Sequence, residues 1–362
     1  MIKCDALVVG GGPAGSTAAR VLHRGGWDVV VIDRARFPRD KVCAGWLTPE
    51  VFRLLELAPE DYRTCGHTFQ EISGFRTGVL GGPMLATRYS RTVSYAIRRC
   101  EFDHFLLQRS GARVIDGTSV DAIRRDREGW IVNESIEARA VIGAGGHFCP
   151  LARYLGGADP LRPVVAKEAE FRPARSSPIL DGELPELFFS RDMEGYGWCV
   201  QKGEYLNIGI GRRTSEQFAA HVKDFTTFLE RRHGLAQVGA VRWRGHAYLA
   251  AGAGPRPLIG DGLLLAGDAA GLAYPESGEG IKPAIESGRL AAETLLAAGG
   301  RVDTAALRPY AEAIRRLHPP PTRVPAPLRS ASAAIARALL QSPAFTKRVL
   351  LDRWFLRNHA SS

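Results

Sequence analysis

The sequence lacks any Cys-x-x-Cys pair, any internal repeat and any long apolar run, and each absence removes a class of protein. Its six cysteines, Cys4, Cys43, Cys65, Cys100, Cys149 and Cys199, are scattered singly. Neither a disulfide framework nor a thiolate zinc site is expected, which points to a reducing compartment. No apolar stretch approaches the roughly 18 residues that a membrane span needs. The N-terminus enters a strand within a few residues, without the apolar core of a signal peptide, so a cytoplasmic protein is expected. Disordered, collagen-like and coiled-coil classes are excluded by an ordinary balance of 45% apolar and 24% charged residues. The formal net charge of +10 favours an anionic partner such as an acidic lipid surface or a phosphorylated ligand, unless it merely marks a basic soluble protein. No zinc-finger, basic-zipper or aromatic RNA-binding signature accompanies that charge, so nucleic acid is not expected. At 362 residues the chain has room for two domains.

What is present begins at the N-terminus. A short apolar run at 6–9 leads into Gly10-Gly11-Gly12-Pro13-Ala14-Gly15. A helical stretch with Ala18, Val21 and Leu22 on one face follows, and a second apolar run at 29–32 ends in Asp33. This is a βαβ unit carrying the dinucleotide fingerprint in its required context. Gly10 permits the tight turn, Gly12 lets the backbone approach a pyrophosphate, and Gly15 lets helix pack on strand. The helix start offers free N–H groups to phosphates, and Asp33 can accept from ribose hydroxyls. The fingerprint does not by itself separate FAD from NAD, although Asp33 argues against NADP there.

A second glycine-rich constellation lies far downstream. A strand-like run at 262–266 leads into Gly267-Asp268-Ala269-Ala270-Gly271, then Pro275, Gly278-Glu279-Gly280-Ile281 and a helical pattern to about residue 298. It delivers the Asp268 carboxylate and a helix start to one ligand, unless it is only an acidic cap on a core helix.

Taken together, these two constellations resemble the p-hydroxybenzoate-hydroxylase-like flavoproteins. Three further segments resemble the geranylgeranyl reductase family in particular: Lys41-Val42-Cys43-Ala44-Gly45-Trp46-Leu47-Thr48-Pro49, Arg99-x-x-Phe102-Asp103, and Tyr196-Gly197-Trp198 with Asn207-Ile208-Gly209-Ile210-Gly211. The resemblance covers most of residues 1–315. It implies FAD as cofactor, held through Gly10, Gly12, Ala14, Gly15, Asp33, Arg34, Lys41, Cys43, Ala44, Arg99, Val120, Asp268, Gly278, Gly280 and Ile281. Asp268 would bond a ribityl hydroxyl, and the N–H groups near Gly280 and Ile281 would face flavin N1 and O2. Departures are visible too. Family members often have Cys-Gly where this chain has Cys43-Ala44, and Phe-Pro-Lys where it has Val200-Gln201-Lys202. The Asp-Gly of aromatic hydroxylases is replaced by Gly143-Ala144-Gly145-Gly146, which weakens a monooxygenase reading and leaves open whether NAD(P)H or an external reductase or ferredoxin supplies electrons.

The expected architecture is α/β: a Rossmann-type FAD domain (βαβ with parallel sheet), an inserted antiparallel β-rich substrate domain and a C-terminal helical tail. The FAD domain is assigned to about 1–75, 95–158 and 259–316, the substrate domain to about 76–94 and 159–258, and the tail to about 317–362. Strands are expected at 130–132, 140–142, 168–171, 187–189, 197–200, 205–210 and 241–244, with helices at 102–108 and about 215–232. The inserted sheet would cover the flavin, with substrate between the domains. The stretch 318–327 is proline-rich, and beyond it Ile335, Leu339, Val349, Leu350 and Phe355 recur at helical spacing among Arg329, Arg337, Lys347, Arg348, Arg353 and Arg357. Such a tail either docks on its own domain or lies on an anionic membrane surface, a peripheral contact.

The family resemblance implies hydrogenation of isolated alkenes in an isoprenoid or other small hydrophobic substrate. An unactivated alkene needs a proton source beside the hydride donor. Cys43 is the candidate, against the alternative of a packing thiol. Trp46, Tyr196 and Trp198 are candidate pocket walls or ordinary core. Two other classes remain open: an FAD monooxygenase or epoxidase (a halogenase less so, for want of a W-x-W-x-I-P segment), and an electron-transfer flavoprotein with a redox partner.

Overall fold

The computed structural model describes residues 1–127, 129–156, 163–173, 180–251, 256–319 and 328–357. The chain divides into two compact units. One comprises Met1–Asp40, Cys100–Leu161 and Tyr248–Pro321, the other Lys41–Arg99, Arg162–Ala247 and Thr322–Ser362. Residues 41–75, placed by sequence with the nucleotide domain, therefore cluster with the second unit, as does the C-terminal tail.

The first unit is built on an eight-stranded sheet. Ile2–Val9 lies at its centre, parallel to Ile136–Gly143 on one side and to Val29–Asp33 on the other. Leu263–Leu265 and Arg113–Asp116 extend the parallel run outward. Runs such as Val29-Val30-Val31-Ile32 are apolar at every position because a parallel strand covered on both faces has no solvent side. Helix Pro13–Arg24 begins with proline at its first turn, where the missing N–H is not needed. It packs with helix Ile281–Ala297 in a core that also includes Leu295 and Tyr310.

The second unit has a seven-stranded sheet in the order Arg244–Tyr248, Val164–Phe171, Tyr205–Arg212, Gly195–Lys202, Glu186–Phe189, Gly74–Val79 and Met84–Arg88. A small three-stranded sheet joins Trp46–Leu47, Ser94–Ile97 and Phe69–Ile72. The large sheet is not wholly antiparallel: Leu187 pairs in parallel with Thr77. The strand expected at 241–244 instead runs over Arg244–Tyr248. Val241 and Trp243 alternate for packing rather than pairing, and both lie against the apolar cluster beneath helix Phe218–His233.

Register sorts the residues of this sheet. Trp198 and Glu168 both lie opposite Gly209, while Val200 and Glu170 both lie opposite Asn207. Directly opposed residues share a face. One face therefore carries Tyr196, Trp198, Val200, Lys202, Glu168, Glu170 and Asn207. The other presents Ala169, Cys199, Ile208 and Ile210 to Phe225 and Leu229 of the helix. Gly209 is required where it stands: a Cβ there would lie 2.1 Å from Trp198 Cζ2, so only glycine lets the indole lie across the strand.

The proline-rich stretch lies mostly outside the described residues, as does the side chain of Arg329. Helix Leu328–Leu340 and the π-helical turn Thr346–Phe355 follow it. Leu340, Leu350, Leu351 and Phe355 are buried in the second unit's own core, joining Trp46, Phe75 and Trp198. Docking thus accounts for Leu350 and Phe355. Ile335 and Leu339 stay exposed at 60% and 39%. Among the described residues no helix is long and apolar enough to cross a membrane.

Candidate active site

The first unit builds a cradle for a dinucleotide. Gly10 adopts φ +112°, and a Cβ on it would lie 2.4 Å from Ala144 O. A Cβ on Gly15 would lie 1.8 Å from Gly10 O, so any side chain at Gly15 would push the helix off the turn. Gly12 caps the helix without a side-chain hydrogen bond, which leaves the first-turn N–H groups directed at whatever anion approaches. Asp33 is held at the end of its strand by the Gly11 N–H (2.7 Å) and the Ala35 N–H (2.8 Å). Each carboxylate oxygen retains a lone pair for a hydroxyl.

The downstream constellation meets this cradle at Ala14. A Cβ on Gly267 would lie 3.2 Å from Ala14 Cβ, and one on Gly288 would lie 2.1 Å from Ala14 O. Buried Ser287 accepts the Gly267 N–H at 2.9 Å and anchors the turn that carries Asp268. Asp268 Oδ1 is 3.1 Å from where a Cβ of Gly280 would stand, so the carboxylate borders the start of helix Ile281–Ala297. That start, too, has no side-chain cap on Gly280. Gly278 takes φ +71° beside the Tyr248 hydroxyl. These residues fit FAD: two uncapped helix starts for negative charge, and carboxylates for ribose and ribityl hydroxyls. Near Gly12, Arg39 pairs with fully buried Asp103 at 3.1 Å, which gives the last residue of the Arg99-x-x-Phe102-Asp103 motif a role. Arg34 is exposed, Val120 packs half-buried on the first unit's core, and Arg99 begins helix Arg99–Gln108.

Lys41, Cys43 and Ala44 lie in the second unit, over the polar strip of its large sheet. The Cys43 N–H donates to Glu168 Oε2 at 2.6 Å, and the Gly45 N–H reaches Cys43 Sγ at 3.4 Å. Asn207 is the hub. Its Oδ1 accepts from Trp198 Nε1 at 2.7 Å. Its Nδ2 is shared among Cys43 O (3.4 Å), Glu168 Oε2 (3.3 Å) and Glu170 Oε2 (3.2 Å). Fully buried Lys202 donates to Glu170 at 2.9 Å, and Arg98 Nε donates to its other oxygen at 2.8 Å. Lys41 Nζ hydrogen-bonds His246 Nε2. Burial pushes the Glu168 carboxyl up to about 7 against the pull of Lys202. Burial also opposes ionisation of Glu170, but Lys202 and Arg98 overcome it and hold that carboxyl below its ordinary value.

The three candidate pocket walls are brought together. Trp46 and Trp198 are buried in one cluster, and Tyr196 packs against it. Phe355 of the tail sits 6.0 Å from the Trp46 ring and 5.5 Å from that of Tyr196. Sequence reasoning did not single out Glu168, Glu170, Lys202 or His246. The signal was present in Glu168-x-Glu170, two acids on one face of an otherwise apolar strand. Such a pair is costly unless something polar comes down on it.

The raised Glu168 pKa makes stability depend on pH. Its folded value lies above the unfolded one, so its contribution is full below the ordinary carboxylate range and is lost as pH rises through about 7. The ceiling is about 3 kcal/mol, from 1.36 kcal/mol per pKa unit between 4.5 and about 7. Glu168→Gln carries no charge, so its melting temperature should gain on that of the parent by roughly 5 °C between about pH 5 and pH 8. A difference unchanged with pH would contradict this environment for Glu168.

Comparison with known proteins agrees with the geometry. A family model described as an FAD binding domain matches residues 3–192, and one described as FAD dependent oxidoreductase matches 105–294. A menaquinone reductase of Mycolicibacterium smegmatis is 33% identical over 327 residues, covering 83% of this chain and 78% of the relative. A digeranylgeranylglycerophospholipid reductase of Methanothrix thermoacetophila is 32% identical over 326 residues, 84% and 80% of the two chains. Among solved structures, a geranylgeranyl bacteriochlorophyll reductase-like protein from Thermoplasma acidophilum aligns with TM-score 0.73 at 21% identity, covering 94% of this chain and 88% of that one, which shows a shared fold. With the cradle, the downstream carboxylate and these relatives in agreement, the chain belongs to the family of FAD-dependent oxidoreductases that contains the geranylgeranyl and menaquinone reductases.

Proposed function

We propose that this protein reduces carbon–carbon double bonds in the isoprenoid chain of a lipid or quinone. When bound, reduced FAD would supply the hydride, which carries both electrons. The cofactor would be held by Gly10, Gly12, Ala14, Gly15 and Asp33 together with Asp268, Gly278, Gly280 and Ile281. Arg34, Lys41, Ala44, Arg99 and Val120 belong to the same assignment by resemblance. Cys43 gives its thiol proton to the alkene carbon that does not take the hydride, and solvent reprotonates the thiolate. Trp46, Tyr196 and Trp198, backed by Phe355, exclude water and present an apolar wall to the chain. Electrons come from NAD(P)H or from an external reductase or ferredoxin.

The observation that carries this reading is the connection Trp198–Asn207–Cys43. One buried amide joins the aromatic wall to the residue bearing the thiol. An aromatic hydroxylase needs no such proton donor fixed beside an apolar wall, whereas saturation of an isolated alkene does.

The tail can bring the enzyme to its substrate. Ile335 and Leu339 are exposed on a helix that also carries Arg337, and the exposed side chains of Lys347, Arg348 and Arg353 follow it. Apolar side chains among cations favour the surface of an anionic membrane, with about 1 kcal/mol from each basic residue near it. The full chain should float with anionic liposomes and the double variant Ile335→Glu/Leu339→Glu should not. Equal, negligible flotation of both would remove membrane contact from the account.

Anaerobically reduced protein, mixed with geranylgeranyl diphosphate or menaquinone, should be reoxidised, and the prenyl chain of the product, with any quinol first returned to quinone, should gain two hydrogens by mass for each bond saturated. Cys43→Ala should retain bound flavin and lose at least about a hundredfold in that rate, the usual contribution of a placed proton donor. Inertness toward both lipids, with O2 consumed and oxygen incorporated into a substrate, would replace the reductase reading with an oxygenase.

A further inference from the structure

Glu168 is only 6% exposed, and a carboxylate in that position is costly. An apolar residue of similar volume would pack on this face without that cost. What the carboxylate does is specific: it accepts the Cys43 N–H at 2.6 Å, while Asn207 Nδ2, 3.3 Å from the same oxygen, donates to Cys43 O at 3.4 Å. Both hydrogen-bonding atoms of the Cys43 backbone are therefore held from below by neighbouring strands. The groups that do the holding are themselves fixed. Trp198 Nε1 locks the Asn207 amide so that its nitrogen faces the carboxylates. Lys202 and Arg98 both donate to Glu170.

We infer that Glu168 and Asn207 are positioning residues that grip the Cys43 backbone from both sides, and that the charge on Glu168 sets how firmly the segment is held. The inference rests on the reading of Cys43 as the proton donor only for its consequence in catalysis; the grip itself stands apart from it. An ionised carboxylate accepts a backbone N–H far more strongly than a neutral carboxyl does. The segment is thus held tightest when Glu168 is charged and loosens as it takes a proton. The other titratable groups around it are Glu170 on its own strand, Lys202 and Arg98 beyond Glu170, Cys43 above, and the Lys41–His246 pair carried in part by the adjacent edge strand. With the carboxyl pushed up to about 7, this change falls near neutral pH.

The test uses the full-length FAD-bound protein and the alkylation of Cys43 by iodoacetamide between about pH 5.5 and pH 9, read by mass spectrometry of the Cys43 peptide. Exposed Cys65 serves as internal reference for thiol ionisation. In the parent, the Cys43-to-Cys65 rate ratio should fall through an inflection near pH 7 as Glu168 ionises and the segment tightens. Glu168→Gln keeps an acceptor for the Cys43 N–H but carries no charge, and its ratio should be flat. Glu168→Ala loses the acceptor as well, and at about pH 8 its ratio should stand about tenfold above the parent, as loss of a charge-assisted hydrogen bond predicts. His246→Gln should keep the inflection, which separates Glu168 from the neighbouring imidazole. An inflection that survives in Glu168→Gln overturns the inference, as does a Glu168→Ala profile equal to that of the parent. Undiminished alkene reduction by Cys43→Ala, alongside a flat Glu168→Gln profile, leaves the grip in place and removes only the chemical role of the thiol.

Discussion

The organisation of the second unit depends on one buried amide. Asn207 lies on the sheet face that carries Trp198, Glu168 and Glu170, and it hydrogen-bonds all three as well as the Cys43 carbonyl. A polar group so placed is destabilising unless satisfied and strongly specifying once it is. Because the Trp198 indole fixes which end of the amide is the donor, the carboxylates and the Cys43 carbonyl must all come to the same side. Gly209 makes this possible by letting the indole lie flat across the strand. The aromatic wall and the thiol-bearing segment are thus parts of a single hydrogen-bonded unit, and the apolar cluster of Trp46, Tyr196 and Phe355 packs around it.

In the first unit the controlling constraint is close backbone approach at Ala14. Gly15 brings helix Pro13–Arg24 onto the turn of Gly10, and Gly288 brings helix Ile281–Ala297 onto Ala14 from the far side. Two motifs separated by most of the chain converge on one residue. Each contributes a helix start without a side-chain cap, and each places a carboxylate nearby. An FAD molecule needs both ends of this arrangement, since its phosphates and its ribityl chain make different demands.

The nucleotide unit could be read from the sequence because its signals are local. Glycine positions, apolar runs and Asp33 at the end of a strand are fixed by backbone geometry over a few dozen residues. The Tyr196-Gly197-Trp198 and Asn207-x-Gly209-x-Gly211 segments were recognisable as a pattern, but their reason is a cross-strand register that spacing alone does not reveal. Glu168 and Glu170 escaped notice because a strand acid normally marks a solvent face, and only the segment above them makes them interior. The boundary after residue 40 was missed for a related cause. Residues 41–99 belong to the second unit through pairing of Gly74–Val79 with Glu186–Phe189, a contact between segments more than a hundred residues apart. Alternation misplaced the strand near 241–244, since Val241 and Trp243 alternate in order to pack under a helix.

The central claim is that the aromatic wall and Cys43 act together through Asn207. A double-mutant cycle of Trp198→Phe and Asn207→Ser tests it most directly, read in the single-turnover reoxidation of reduced enzyme by geranylgeranyl diphosphate. Trp198→Phe keeps an aromatic side chain and removes the N–H that orients the amide. If the two residues form one connection, the double variant should lose no more than the more severe single variant, a coupling of at least about 1 kcal/mol. Losses that simply add would mean that wall and thiol are held independently, and the account would be wrong.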